Sequence, residues 1–127
     1  MAASPHMFPY RFIDDSPFPR PYIPVTLRSR KRSMQPLLAL VDSGADFCVL
    51  DLDLTSLETI KLNGVAGMAT GYVAHIEIDV AEHFLPVPAV LSFDFSPKGF
   101  GGIIGQLGFF DIYVITFDRA HKKVVLK

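Results

Sequence analysis

One segment of the sequence joins an apolar run to an acidic turn motif: Leu37-Leu38-Ala39-Leu40-Val41-Asp42-Ser43-Gly44-Ala45-Asp46. Its first five residues are all apolar, which predicts a β-strand buried on both faces. The strand runs directly into a carboxylate, a hydroxyl and a glycine, and Gly44 permits a sharp reversal that a side chain would obstruct. We therefore expect Asp42 at the end of a rigid strand, where a functional group can be held in a fixed position.

An isolated Asp-Ser-Gly is more often an ordinary turn, because Asp and Ser bond nearby backbone groups and Gly adopts positive φ. Two features favour a functional loop in this chain. Asp42 follows a wholly apolar strand rather than a surface hairpin. A second run lies far downstream, ahead of a helix-like segment: Phe100-Gly101-Gly102-Ile103-Ile104-Gly105.

The two runs, in this order, resemble the motifs of the retropepsin-like aspartic proteases, and the resemblance covers residues 22–127. In that family the Asp-Thr/Ser-Gly-Ala motif carries the catalytic aspartate. The resemblance therefore implies that Asp42 is catalytic, that Ser43 braces the loop and that Gly44 shapes it. It implies that the apolar pair of the second run supports this loop, with Gly105 permitting the turn. The residues that it places around substrate are Ala45, Asp46, Gly67, Met68, Ala69, Ile103 and Ile104.

The chain has a single Asp-Ser/Thr-Gly motif, whereas an aspartic protease uses two carboxylates that share a proton around a water molecule. Asp94 and the remaining aspartates of the sequence lie in no such motif. The resemblance therefore implies a homodimer in which each subunit supplies one Asp42. Viral members dimerise largely through interleaved chain ends. Here Val124-Val125-Leu126 is followed by one residue, which leaves open a differently built or weaker dimer.

Composition excludes several classes of function. With 127 residues, half of them hydrophobic, the chain can bury one core. A net charge of −1 offers no field that would attract nucleic acid or an anionic membrane. No apolar run approaches the ~20 residues of a membrane helix, and no secretory signal is visible, so we expect a cytoplasmic protein. The histidines lack the spacing of a zinc site, and no metal or cofactor is expected. The single cysteine, Cys48, lies in an apolar run and is expected to be buried.

The first 21 residues are expected to lie outside the protease domain, which we place at residues 22–127. Residues 1–7 have the look of an added leader, and we set them aside from the fold. Residues 8–24 are rich in proline, which predicts an extended arm lying on the body rather than a central strand.

The rest of the chain is predicted to be short strands with frequent turns. Residues 72–80 alternate, which predicts a strand with Tyr72, Ala74, Ile76, Ile78 and Val80 on the face toward the core. The glycine-rich residues 63–71 fit a flap, a hairpin that closes over a bound peptide, with a plain loop as the alternative. The basic run 28–33 fits a solvated hairpin loop better than a polyanion site. Gln106 to Phe110 is expected to form a short helix that buries Leu107, Phe109 and Phe110. The fold class is therefore all-β, a retropepsin-like closed acid-protease barrel with one short C-terminal helix.

The sequence is compatible with three functions. The preferred one is an aspartic endopeptidase that hydrolyses polypeptide through a pair of Asp42 residues. The second is a non-catalytic retropepsin-fold module that dimerises and binds a peptide or protein. The third is a β-barrel domain without a peptide site, in which Asp42 is a turn residue. The intact Asp-Ser-Gly favours the first, because a binding module has no need to bring together two repelling carboxylates.

Overall fold

The structure, a computed structural model, describes residues 5–13, 16–28, 36–51, 63–64, 71–92 and 101–127. Nearly all regular structure in these ranges is β, as predicted. The strands are β1 (His6–Pro9), β2 (Tyr22–Arg28), β3 (Leu37–Val41), β4 (Cys48–Asp51), β5 (Asn63–Gly64), β6 (Gly71–Val80), β7 (His83–Ser92), β8 (Gly102–Ile104), β9 (Ile115–Asp118) and β10 (Lys123–Leu126).

Six strands close into a barrel in the order β2-β3-β8-β4-β7-β6. Closure is possible because β2 pairs with β3 through its first half and with β6 through its second half. The β3–β8 and β4–β7 pairs are parallel, and the other pairs of the barrel are antiparallel. The predicted closed barrel is confirmed.

The core lies inside this barrel and is filled by alternate residues of its strands. On β6, Ile76, Ile78 and Val80 are buried, as the strict alternation of this segment predicted. On β3 the outcome differs from the prediction. Ala39 and Val41 are buried, but the leucines between and before them are only half-buried, because one face of a barrel wall points outward. An unbroken apolar run therefore did not mean a strand buried on both faces.

Pro24 lies within β2, a barrel strand, although the proline-rich segment up to this residue was predicted to avoid central strands. The register explains why proline is tolerated. Val41 donates its N–H to the Pro21 carbonyl, so by alternation Pro24 occupies a non-hydrogen-bonded position opposite Leu38. On the other side, β6 pairs with β2 only from Thr26 onward. The missing N–H of Pro24 therefore removes no bond of either ladder.

The two ends of the chain form a separate three-stranded sheet in the order β1-β10-β9. His6 and Met7, set aside in the sequence analysis, belong to β1 and pair with Leu126 and Val125. Excluding these two residues from the fold was therefore wrong. The strand was missed because four residues at a sheet edge show too short a pattern to be recognised in the sequence. Val124 and Leu126 of β10 are fully buried and join this sheet to the core.

The predicted short C-terminal helix is a single irregular helical turn, Gln106–Phe110. Leu107 (φ −70°, ψ 124°) and Gly108 (φ 86°) lie outside helical geometry and interrupt it. Phe109 is buried as predicted, whereas Leu107 is 41% exposed, contrary to the prediction, because the interruption rotates it outward. None of the helical structure in the described ranges is long and apolar enough to cross a membrane.

Candidate active site

The two sequence runs that suggested a site meet at one end of the barrel. Strands β3 and β8 are parallel neighbours, so Val41 and Ile104 end side by side. Asp42, the next residue, donates its N–H to the Ile104 carbonyl at 2.9 Å. A contact between residues 62 positions apart (42 and 104) therefore fixes where the Asp42 loop begins.

The Asp42 carboxylate is oriented by its own loop. Its Oδ1 accepts the Gly44 N–H at 2.9 Å, and its carbonyl accepts the Ala45 N–H at 3.3 Å. A backbone amide bonded to a carboxylate fixes the side-chain angle without using the second oxygen. Asp42 is half-buried, so this carboxylate is anchored while part of the residue remains accessible.

Gly44 is required for a different reason from the one expected. Its φ is not in the left-handed region, which among the described glycines only Gly108 adopts. A Cβ on Gly44 would lie 3.3 Å from Asp42 Oδ1. Glycine therefore leaves space beside the carboxylate, and the chain reversal does not depend on it.

Residues that follow β8 hold the loop from the other side through three hydrogen bonds. Gln106 Nε2 donates to the Ser43 carbonyl at 2.7 Å, and the Gln106 N–H donates to the Ala45 carbonyl at 2.8 Å. The Leu107 N–H donates to the Asp46 carbonyl at 2.8 Å. Gln106 was not predicted from the sequence, because its side chain bonds a carbonyl 63 positions away.

Gly105 allows this close approach. Its backbone is extended (φ −113°, ψ −166°), so it is not needed for a turn. A Cβ at this position would lie 2.5 Å from the carbonyl oxygens of both Ala45 and Phe47. Burial raises the pKa of the neighbouring Cys48 thiol, and the Gly105 backbone offsets part of this rise.

The remaining predicted site residues differ in exposure. Ser43 and Asp46 are exposed and Ala45 is half-buried around the carboxylate. In the second run Ile103 is half-buried, whereas Ile104 is fully enclosed in the core and acts through its carbonyl. Phe47 is 37% exposed directly after the motif, and sequence reasoning missed it. The predicted flap residues Gly67, Met68 and Ala69 lie outside the described residues.

Solved structures provide an independent comparison. A retropepsin-like aspartic protease from Rickettsia conorii matches with a TM-score of 0.66, covering 99% of this chain and 94% of that one at 14% identity. The chain has a retropepsin-like fold. The retroviral protease-like domain of Ddi1 from Leishmania major matches with a TM-score of 0.54, covering 85% of this chain and 88% of that domain at 17% identity. No protein-family model and no curated protein matches the sequence.

Within this retropepsin-like fold, the Asp-Ser-Gly loop occupies the ends of two adjacent parallel strands and presents one carboxylate. Gln106 and Leu107 hold this loop in place through their hydrogen bonds to its backbone carbonyls. In the described part of the chain, no three His, Cys, Asp or Glu side chains gather in a way that could hold a metal ion. The chemistry that the arrangement offers is that of a fixed, accessible carboxylate.

Proposed function

We propose that the protein is an aspartic endopeptidase in which a water molecule is activated by two Asp42 residues, one from each subunit of a homodimer. The observation that carries the proposal is the Asp42 loop itself. On a retropepsin-like fold, it holds a half-buried carboxylate through the Gly44 amide and anchors its backbone to Ile104. A surface turn residue would need neither the second run nor the long-range bond from Gln106.

Pairing two such carboxylates supplies the chemistry. Two like charges a few ångströms apart cannot both ionise cheaply, so the pair retains one proton at mildly acidic pH and titrates as a unit. The ionised member takes a proton from the water as the oxygen attacks the peptide carbonyl. The protonated member donates a hydrogen bond to the oxygen on which negative charge develops.

The exposed residues around Asp42 would bind an extended polypeptide. Asp46 can accept a hydrogen bond from a substrate amide, while Ala45, Phe47 and Ile103 offer apolar contacts to side chains. Ser43 would brace the two loops against each other across the dimer. Gly67, Met68 and Ala69 are proposed to belong to a flap that covers the substrate and excludes water.

We retain residues 22–127 as the protease domain. Residues 1–21 are an N-terminal segment whose first strand, His6–Pro9, adds to the sheet formed by the end of that domain.

The proposal is tested by incubating the purified protein with a diverse peptide mixture at about pH 4 to 6, the range in which a proton-sharing pair is active. Asp42→Asn runs alongside as a control that keeps the size of the side chain. Cleavage by the parent and none by the variant, detected by mass spectrometry, is the expected result. A folded parent that binds peptides without cutting them would replace the endopeptidase with the binding module, and turnover retained by Asp42→Asn would reject the mechanism.

A further inference from the structure

The sheet formed by the chain ends has two open edges, β1 and β9, and no other strand in the described ranges pairs with either of them. Strand β9 begins at Ile115, five residues after Phe110, which ends the helical turn that holds the Asp42 loop. An open edge presents unpaired N–H and C=O groups and can accept another strand. The register with β10 determines which backbone groups point outward on each edge.

On β9 the outward residues are Ile115 and Phe117. Val114 and Lys127 exchange both N–H···O bonds at 3.0 Å. In an antiparallel ladder such pairs alternate, so Thr116 and Asp118 also direct their backbone groups toward β10. The N–H and C=O groups of Ile115 and Phe117 therefore face the open side.

The β1 edge is less suited to pairing. Tyr10 donates its N–H to the Lys122 carbonyl, so by the same alternation Phe8 and His6 face β10. Met7 and Pro9 are left facing outward, and proline has no N–H to donate. A proline or a lysine on an edge strand discourages pairing, and β9 contains neither.

Several large apolar side chains are exposed along the chain from the Asp42 loop to β9. We call the exposed residues of this stretch the β9 surface: Leu107 (41% exposed), Ile112 (55%), Val114 (69%) and Phe117 (39%). Its first member donates a backbone bond to Asp46 of the loop, and its last lies on the open strand. Val114 and Phe117 lie three positions apart in the ladder with β10, so exposed apolar side chains flank the open edge on both faces of the sheet.

We infer that β9 pairs in antiparallel orientation with β9 of a second copy, about a two-fold axis at Thr116. In this register Ile115 lies opposite Phe117 of the partner subunit, so outward-facing groups meet outward-facing groups in two equivalent reciprocal pairs. Thr116 lies opposite itself, with side chains about 5 Å apart in a non-hydrogen-bonded pair. The strand is self-complementary as an isologous interface requires, and the two three-stranded sheets become one.

A second copy is the occupant that the proposed function requires, and the inference rests on that function. One copy supplies one Asp42, so the site is incomplete without another. The β9 surface is tied to the loop that carries Asp42, because Leu107 donates its N–H to the Asp46 carbonyl. A pairing through this edge differs from the interleaved chain ends of viral members.

Charge variants at Thr116 test the register through the molecular mass in solution, measured by light scattering and sedimentation. Thr116 is exposed, so lysine or glutamate can replace it without entering the core. The parent is expected to be a dimer. Thr116→Lys and Thr116→Glu each place like charges opposite one another and should weaken the dimer about tenfold or more. Mixing the two variants pairs opposite charges and should restore a dimer.

Proline variants test the edge itself. Phe117→Pro removes an outward N–H but no bond to β10, so the dimer should be lost while the hairpin remains. Met7→Pro is the matched control, because it removes an outward N–H from the β1 edge and should leave the dimer intact. Far-ultraviolet circular dichroism checks the fold of both.

The inference is overturned by a monomeric parent, by a dimer that Thr116→Lys and Phe117→Pro leave unchanged, or by a mixture of charge variants that stays monomeric. Its failure can be distinguished from failure of the proposed function. Cleavage that depends on Asp42, in a dimer insensitive to the β9 variants, would reject this interface and keep the peptidase. A β9-dependent dimer without cleavage would keep the interface and reject the peptidase.

Discussion

The Asp42 loop and the β6–β7 hairpin are built in opposite ways. The hairpin consists of ten consecutive register pairs closed by a two-residue turn, so its contacts join residues close in sequence. The loop is held by Ile104, Gln106 and Leu107, about sixty positions away, and mostly through backbone groups. The hairpin follows from a local pattern, whereas the loop depends on two distant segments approaching closely.

The two regions should therefore be sensitive to mutation at different kinds of residue, namely core and turn residues in the hairpin and closely packed backbone positions in the loop. In the hairpin, alternate side chains such as Ile78 and Val87 fill the core, and the turn residues Ala81 and Glu82 are strained at positive φ (51° and 68°). In the loop, the position of Asp42 depends on Gly105, which has no side chain, and on the backbone carbonyls opposite it. We expect substitutions in the loop to damage function and those in the hairpin turn to change stability alone.

Gly105→Ala should give the largest effect. The new Cβ would collide with the carbonyls of Ala45 and Phe47, and backbone atoms cannot move aside as a flexible side chain can. We expect the free energy of unfolding to fall by about 3 kcal/mol, measured by urea denaturation, and cleavage to be lost. Gly44→Ala is the control, because its Cβ would meet only Asp42 Oδ1 at 3.3 Å. Equal stability of the two variants would contradict the explanation.

Gln106→Met should have a smaller effect on stability. It keeps the length of the side chain but removes the hydrogen bond to the Ser43 carbonyl, which we expect to cost about 1 kcal/mol. Because the loop then loses an anchor next to Asp42, kcat should fall by about tenfold. Chemical denaturation and steady-state kinetics measure the two effects. An unchanged kcat would mean that the backbone bonds alone position the loop.

The double variant Ala81→Asn/Glu82→Gly should act in the opposite direction. Both positions have the positive φ of a type I′ turn, for which Asn-Gly is the preferred pair. We expect stabilisation of about 1 kcal/mol with no change in cleavage. The control is Ala120→Gly, in an exposed turn without positive φ, which should lower the melting temperature. Stabilisation by both variants would show that backbone strain is not the cause.

Asp118→Asn should have the smallest effect, at the turn between β9 and β10. Asp118 Oδ1 accepts the His121 N–H at 3.1 Å, and this bond is the main reason that the pKa of the carboxyl lies below its usual value. A depressed pKa stabilises the fold above the ordinary range of Asp, and this contribution is lost as pH falls through the lowered pKa. The variant should therefore melt slightly below the parent at pH 7, and the difference should vanish in acid. A difference that persists in strong acid, where the carboxyl is protonated in both the folded and the unfolded chain, would have another cause.

Local patterns in the sequence were enough to predict strand β6, a barrel-like all-β domain and the strand that delivers Asp42, whereas the closed barrel was implied by the family resemblance. The alternation in residues 72–80 predicted which side chains of β6 are buried, because a strand has a period of two. The same reasoning failed for Leu38 and Leu40, because an unbroken apolar run does not show which face of the strand points out of the barrel. It also missed β1, whose pairing with β10 joins the two ends of the chain.

The proximity of the two sequence runs was predicted, but the way in which the Asp42 loop is held was not. Asp42, Ser43 and Gly44 stood out as a motif, and the second run was correctly placed beside it. The role of Gln106 could not be read locally, because its partner is 63 positions away. The functions of Gly44 and Gly105 were assigned to turns, whereas both allow close approach, a property of two segments together.

Mixing active and inactive subunits decides whether two subunits each supply one Asp42 to a single site. The parent and Asp42→Asn are unfolded together in a ratio of one to three and refolded, so that subunits combine at random, and activity is expressed per parent subunit. Only about a quarter of the parent subunits then find another parent, so a shared site predicts activity near a quarter of that of the parent alone. Activity per parent subunit that does not change with the ratio would contradict a site built from two Asp42 residues.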